Sequence, residues 1–301
     1  MILYNGTTGS LAHYFAESVG AAGASATPLR SRLEDLDGFR KELGGLAGNE
    51  ATFVLFAAKV SVPWCESHPE EARQTNVSDT LEFARLFIEA CRGKGISPRL
   101  LYVSSAHLYA RNDGTIHETD PILPRSVYAR TKLEAENGLR DLARATGADL
   151  RITRVFGLVA PVQPEHYILH AMLKRAREKR MRGIPGLSNL RDYLDSRDVC
   201  RAILKTISVE EANFARVCPD RILNVCSGRG ISIRALAEAC VKAISPADEA
   251  ARLISEMTEA PPRADDVPRI VGSIDRYRAL FGEDPGHFPI ETTIRDAIGS
   301  G

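Results

Sequence analysis

The sequence lacks most of the features that mark a membrane, nucleic-acid or metal-binding protein. Its 39 basic residues are matched by 39 acidic ones, so there is no field of one sign to draw in a polyanion. Long apolar runs are missing: the longest, Phe53 to Ala58, is strand-sized and far short of a bilayer span. No basic-then-apolar leader precedes Met1-Ile2-Leu3, and the expectation is a soluble, cytoplasmic protein with no membrane partner. The cysteines Cys65, Cys91, Cys200, Cys218, Cys226 and Cys240 form no CxxC pair and keep no regular spacing. That argues against both a zinc site and a disulfide frame, and no metal is expected. What remains is 301 residues, 44% hydrophobic, enough for one large α/β domain or a domain with a smaller lobe.

The first half alternates two kinds of segment. Met1–Asn5 reads as a short buried strand, followed by Gly6-Thr7-Thr8-Gly9 and a helix from about Ser10 to Gly20. Ala51–Ala58, Arg99–Ser104 and Asp149–Val155 read as further strands, the first of them apolar on both faces as a parallel strand requires. Between them, Asn76 to Arg92 carries Val77, Leu81, Ala84, Ile88 and Cys91 at helical spacing, and Ser126 to Thr146 is a second helical run. Strands separated by amphipathic helices imply right-handed βαβ units and a parallel sheet. Beyond Gly157 the rhythm loosens. Returns to strand patterning near Leu190–Leu194 and Ile222–Val225 are expected to be the last strands of the main sheet.

The turn Gly6-Thr7-Thr8-Gly9-Ser10-Leu11-Ala12 lies between the first strand and the first helix. A residue without Cβ allows the backbone to turn tightly and approach a pyrophosphate, while the helix N-terminus faces the anion. Alone, such a glycine pair is also consistent with an ordinary turn; its place after the opening strand favours phosphate. At the end of the second strand, where an acid would accept from a ribose 2′-hydroxyl, the chain has Thr27-Pro28-Leu29-Arg30-Ser31-Arg32. Arg30 and Arg32 suit a 2′-phosphate, hence NADPH over NAD; the alternative is two solvated surface charges.

Tyr128 and Lys132 stand four residues apart, on one helix face. Upstream, the third clear strand ends in Ser104-Ser105-Ala106-His107-Leu108-Tyr109, at the sheet edge where ligands bind in such folds. With these marks the chain resembles the extended short-chain dehydrogenase/reductases, the NAD-dependent epimerase/dehydratase family. The ordered set runs through Phe56-Ala57-Ala58, Glu66-Ser67-x-Pro69, Asn76-Val77, Glu118-x-Asp120-Pro121, Lys132-x-x-x-Glu136, Arg191-Asp192-Tyr193, Asn224-Val225 and Arg263-x-x-Asp266-x-Pro268. The resemblance implies a Rossmann-type, doubly wound parallel sheet with a smaller C-terminal substrate-binding lobe. The first would comprise 1–157 with strands near 190–200 and 222–226; the second, 158–189 and 227–301.

By that resemblance Tyr128 is the general acid/base, Lys132 its cationic partner and Ser105 a hydrogen-bond donor to the reacting oxygen. The cofactor would lie against Gly6, Thr8, Gly9, Ser10, Leu11, Ala57, Ala58, Lys59, Ser104 and Val155, besides Tyr128 and Lys132. The substrate would meet His107, Arg191, Arg263 and Asp266, the arginines on a diphosphate and the aspartate on a ribose. Arg154 departs from the family pattern and either reaches the diphosphate or plugs the site. For Arg191 and Arg263, intramolecular ion pairs are the other reading.

The family's dehydratases resemble one another in an acidic pair directly after the serine or threonine. Here Ala106 and His107 stand there, which disfavours 4,6-dehydration and leaves His107 as a packing or substrate-contact residue. The compressed Leu29–Glu42 stretch and Cys65-Glu66-Ser67-His68-Pro69-Glu70 resemble dTDP-4-dehydrorhamnose reductases, and Arg263 to Arg276 resembles GDP-4-keto-6-deoxymannose reductases. The expected activity is therefore NAD(P)H-dependent reduction of a nucleotide-diphospho-4-keto-6-deoxy sugar. A 4-epimerase that retains NAD is the rival, and a nucleotide-binding protein without turnover is the third reading. Lys174 to Arg182 is densely basic without interleaved aromatics, so it reads as a solvated helix face and not a nucleic-acid patch. The two helical runs correspond to those that pair in dimers of relatives, so a homodimer is expected.

Overall fold

The computed structural model describes residues 1–110, 112–261 and 267–299. Strands β1 (Ile2–Tyr4), β2 (Ala26–Pro28), β3 (Glu50–Leu55), β4 (Ser97–Ser105) and β5 (Asp149–Val155) are followed by β6 (Gly157–Val159), β7 (Leu190–Asp195), β8 (Ile222–Val225), β9 (Gly230–Ser232) and β10 (Arg269–Ile270). Six of them form one parallel sheet in the order β2-β1-β3-β4-β5-β8. The chain leaves β1 toward β2 and then crosses back to β3. This reversal opens a crevice at the carboxyl ends of β1 and β3, the switch point where such sheets bind ligands.

Alternation along the strands divides the core into two layers. Leu3, Phe53 and Leu100 join Phe39, Phe83 and Phe87 on one face. Tyr4, Val54 and Leu101 join Phe15, Val199 and Ile203 on the other. Strands β1, β3 and β4 are thus buried on both sides, as βαβ crossovers on both faces demand. A third apolar cluster, with Leu169, Leu173, Leu236, Val241 and Leu253, is the core of the C-terminal helices.

Two expectations change. Leu190–Asp195 does not extend the main sheet: it pairs in parallel with β6 and β10 and antiparallel with β9, in a second, four-stranded sheet. Strand patterning specifies burial and not the partner, so a lone hexamer of strand character could not distinguish the two sheets. The basic helix also shifts, running from Ile168 to Arg177. Its apolar seam Leu169, Met172, Leu173 and Ala176 sets its span, and Lys179 beyond it takes a left-handed φ of 56°. Among the described residues no helix is long and apolar enough to cross a membrane.

One side chain ties the two sheets together. Asp192 on β7 accepts from the Ser227 amide at 2.6 Å, the Ser227 hydroxyl at 2.6 Å, the Gly228 amide at 2.9 Å and the Gly272 amide at 3.2 Å. These donors lie just past β8 and β10, so a single carboxylate joins strand ends distant in the chain. Burial raises its pKa, while the four donors hold it down. Asp192→Ala should cost roughly 3 kcal/mol in urea unfolding, because buried amides lose a charged acceptor. A cost below about 1 kcal/mol would mean that the clamp is replaceable by water.

Candidate active site

At the switch point the ends of β1 and β3 approach too closely for side chains. Gly6 has φ +71°, and a Cβ there would stand 2.9 Å from the Ala57 amide nitrogen. The approach is held by Asn5, whose Oδ1 accepts from the Phe56 and Ala57 amides at 2.8 and 2.9 Å. The Gly9 amide donates to the Gly6 carbonyl at 2.8 Å, closing the turn. The helix Ser10–Ala21 then begins with Gly9 as its N-cap and no side-chain cap. Its first amides have no intrahelical acceptor, and Thr7, Thr8 and Gly9 are exposed while Ser10 and Leu11 are half-buried. An open, uncapped helix start beside a glycine turn fits a pyrophosphate. Ala57, Ala58 and Lys59 continue along the same edge.

Beyond β2, the Glu42 carboxylate accepts from the backbone amides of Arg30 (2.7 Å) and Ser31 (3.2 Å). Both arginines are exposed, and Arg32 stands 3.8 Å from Glu34 in a solvated pair. The rim at the end of β2 therefore presents two guanidinium groups.

The second half of the site comes from β4 and the helix Val127–Thr146. Ser126 caps that helix by accepting from the Ala129 amide at 3.1 Å, and Glu66 accepts from the Val127 amide at 2.6 Å. This start places Tyr128 over the end of β4, where the Ser105 hydroxyl comes close enough to act on its phenol. Burial pushes the phenol up to about 12, against the pull of that hydroxyl. One turn on, the Lys132 ammonium donates to the Val103 carbonyl at 2.8 Å and lies 4.6 Å over the Tyr102 ring. Burial lowers its pKa to about 8, with Glu136 acting in the opposite sense. Ser104 and Val155 lie at the same edge, buried, and the Ser104 hydroxyl has no hydrogen-bond partner.

The His107 amide donates to Ser105 Oγ at 3.2 Å. Its ring stands 6.1 Å from that of Tyr128 and nearly perpendicular to it. Water reaches this imidazole, yet protein encloses its other sides. That enclosure, and to a lesser degree the charge of Arg191, lowers its pKa. Arg191, half-buried on β7, donates to the Leu190 carbonyl at 2.9 Å, and its charge reaches His107, so the second sheet brings a cation to the neighbourhood of the Ser105 end of β4.

Arg154 takes a different place. Only 2% exposed, it lies in the interior with Nε 3.0 Å and Nη2 2.7 Å from the two oxygens of Glu136, and not at the open sheet edge. Arg263 and Asp266 lie outside the described residues.

Three residues absent from the sequence-derived site also belong to this neighbourhood. Asn76 sits in the π-helical turn Gln74–Asp79. Its Nδ2 donates to Thr131 Oγ1 at 3.0 Å and to the Lys59 carbonyl at 3.1 Å, and its Oδ1 accepts from the Lys59 amide at 2.7 Å. It thereby links the edge after β3 to the tyrosine helix. Tyr167 and Cys65 lie near enough for their charges to bear on the Tyr128 phenol. No spacing rule relates either to Tyr128, although Asn76 was visible in the Asn76-Val77 mark.

Residues 19–225 match the family described as the NAD dependent epimerase/dehydratase family. The chain is 28% identical over 194 residues to GDP-6-deoxy-D-mannose reductase of Pseudomonas aeruginosa, a match spanning 62% of this chain and 60% of that protein. It is 26% identical over 293 residues to UDP-glucose 4-epimerase of Corynebacterium glutamicum, covering 90% of this chain and 83% of that one. The solved structure of RMD from Pseudomonas aeruginosa complexed with NADPH superposes with a TM-score of 0.79 at 23% identity, over 99% of this chain and 97% of that chain; at that identity the likeness speaks for the fold.

The buried ammonium carries a stability signature. Lys132 titrates near 8 when folded and near its ordinary 10.5 when unfolded, so between those values the unfolded chain holds more protons and stability rises with pH. Below about pH 8 the penalty of burying the charge is present in full. Measured against Lys132→Met, the wild-type unfolding free energy should rise by on the order of 2 kcal/mol from pH 8 to 10. A flat difference would mean that Lys132 keeps an ordinary pKa.

Proposed function

The chain belongs to the NAD dependent epimerase/dehydratase family, and on that premise we propose that it is an NADPH-dependent reductase of a nucleotide-diphospho-4-keto-6-deoxy sugar. The observation that carries the reading is the buried Tyr128 phenol within reach of the Ser105 hydroxyl, with the Lys132 ammonium one turn behind it, at a strand end followed by Ala106 and His107 and not by a carboxylate pair. That arrangement provides one acid and one oxygen-binding donor, which is what a ketone reduction needs; a dehydration would need further groups.

When bound, the nicotinamide supplies the hydride. The chain's own residues do the rest. The glycine turn and the open helix start receive the pyrophosphate, and Arg30 and Arg32 would pair with a 2′-phosphate. Ser105 and Tyr128 converge on the ketone oxygen and hold it as negative charge develops. At neutral pH a phenol titrating near 12 is fully protonated, the form required of an acid. It passes its proton to the nascent alkoxide, and the nearby Lys132 ammonium stabilises the phenolate left behind. Arg191, whose charge reaches His107, is suited to a diphosphate. Pairing of two copies through the helices 80–93 and 127–146 belongs to the same reading.

A second reading has its own support. The epimerase relative matches over 90% of this chain, and 4-epimerisation would use the same serine, tyrosine and lysine with the cofactor retained.

Two measurements separate these readings. Native mass spectrometry of the purified protein, followed by NADPH and NADH titrations, should give an empty site that prefers NADPH; retained NAD at near-full occupancy would favour the epimerase. Binding of neither would leave a protein without turnover. Independently, Tyr128→Phe should lower turnover by roughly 10²–10⁴-fold with cofactor affinity kept. An unchanged rate would remove Tyr128 from the mechanism.

A further inference from the structure

Behind the serine and tyrosine lies a group of buried charges whose signs do not balance. Lys132 and Glu136, one turn apart on the helix Val127–Thr146, are 3% and 0% exposed. The Lys132 ammonium is hydrogen-bonded to a carbonyl, that of Val103, and lies over the Tyr102 ring. Glu136 accepts from Arg154 at both oxygens, and Arg140 Nη2 stands 3.6 Å from its Oε2. The positive side is not exhausted by these contacts: Arg154 Nη1 and Arg140 Nε and Nη2 are buried without a hydrogen-bond acceptor. One carboxylate therefore answers two guanidinium groups and an ammonium.

We infer that Glu136 is a positioning residue for the reaction: it is the counter-charge that keeps the Lys132 ammonium protonated beside Tyr128, against the repulsion of Arg154 and Arg140. The usefulness of that proton to turnover rests on the function proposed above; the electrostatic claim does not. Coulomb attraction from one helical turn away acts through protein and not water, so it is weakly screened. The two arginines share the carboxylate with the lysine, so each sets how much of its charge remains for Lys132. The titratable groups facing this cluster include the phenols of Tyr102 on β4, Tyr128 on the helix and Tyr109, whose ring lies 4.8 Å from the Arg154 guanidinium; the buried Glu118 carboxylate, 3.7 Å from Arg276, also acts on Tyr109. The three phenols have raised pKa values, largely through burial, and stay neutral over the range at issue. The strong tie of Glu136 to Arg154 also explains why an arginine on a strand edge beside the site points inward.

The claim predicts opposite signs for two substitutions in one ion pair. Lysine titration followed by NMR in uniformly labelled protein without cofactor or substrate, with the Lys132 signal assigned by its loss in Lys132→Met, gives the midpoint directly. In Glu136→Gln the midpoint should fall by about one pH unit or more, and in Arg154→Met it should rise. Unmoved midpoints, or shifts of the same sign, would overturn the inference and leave the pair as a structural tie. Removing one partner of a buried pair is costly, so Glu136→Gln risks misfolding. In that event Glu136→Gln/Arg154→Met is compared with Arg154→Met alone: a lower midpoint in the double variant supports the inference, and an equal one overturns it. The alkaline limb of the NADPH-dependent rate should follow the NMR midpoint. If no 4-keto sugar is reduced, the proposed function fails while the NMR result still decides the role of Glu136.

Discussion

A single buried ammonium organises this protein's candidate site. Lys132 donates to the carbonyl of Val103, two residues before the end of β4, and that contact fastens the helix to the middle of the sheet. Burying a cation is unfavourable unless its protons are met, so the helix cannot slide or rotate without leaving this charge unanswered. Tyr128, one turn earlier, is thereby held over Ser105. The reactive end of the helix is thus positioned from below, by packing and charge inside the protein, while its upper end remains free to face a ligand.

The rest of the architecture brings other groups to the same edge. Asn5 ties β1 to the chain leaving β3, and Asn76 ties that chain to the residue before Lys132. Two buried amide side chains therefore connect the glycine turn to the tyrosine helix without any covalent link. Opposite them, Asp192 clamps the second sheet to the first and so sets how far Arg191 stands from His107. A buried carboxylate thus fixes how the second sheet sits against the first.

Much of this was legible in the chain. Alternation of strand and helix, the apolar faces of Ala51–Ala58 and the spacing of Tyr128 and Lys132 reflect local geometry, which repeats at 2 and 3.6 residues. Glu136 stood in the same pattern. Its partner Arg154, eighteen residues on, departs from the family pattern, and the sequence left open whether it would reach a diphosphate or plug the site; inward orientation depends on the register of β5 against β4 and on the helix above, which spacing does not encode. Tyr167 and Cys65 come to Tyr128 from segments with no common period.

What the sequence determined by itself was the set of elements and the chemical types of the reactive residues, because burial patterns and helix faces are properties of neighbours in the chain. The tertiary structure alone decided which sheet Leu190–Asp195 would join, whether Arg154 would face a ligand or Glu136, and which groups would surround the Tyr128 phenol. Those are contacts between segments far apart in sequence, set by how two sheets and their helices fill space together. They also fix the local dielectric and the balance of charge, and with them the protonation states on which the chemistry depends.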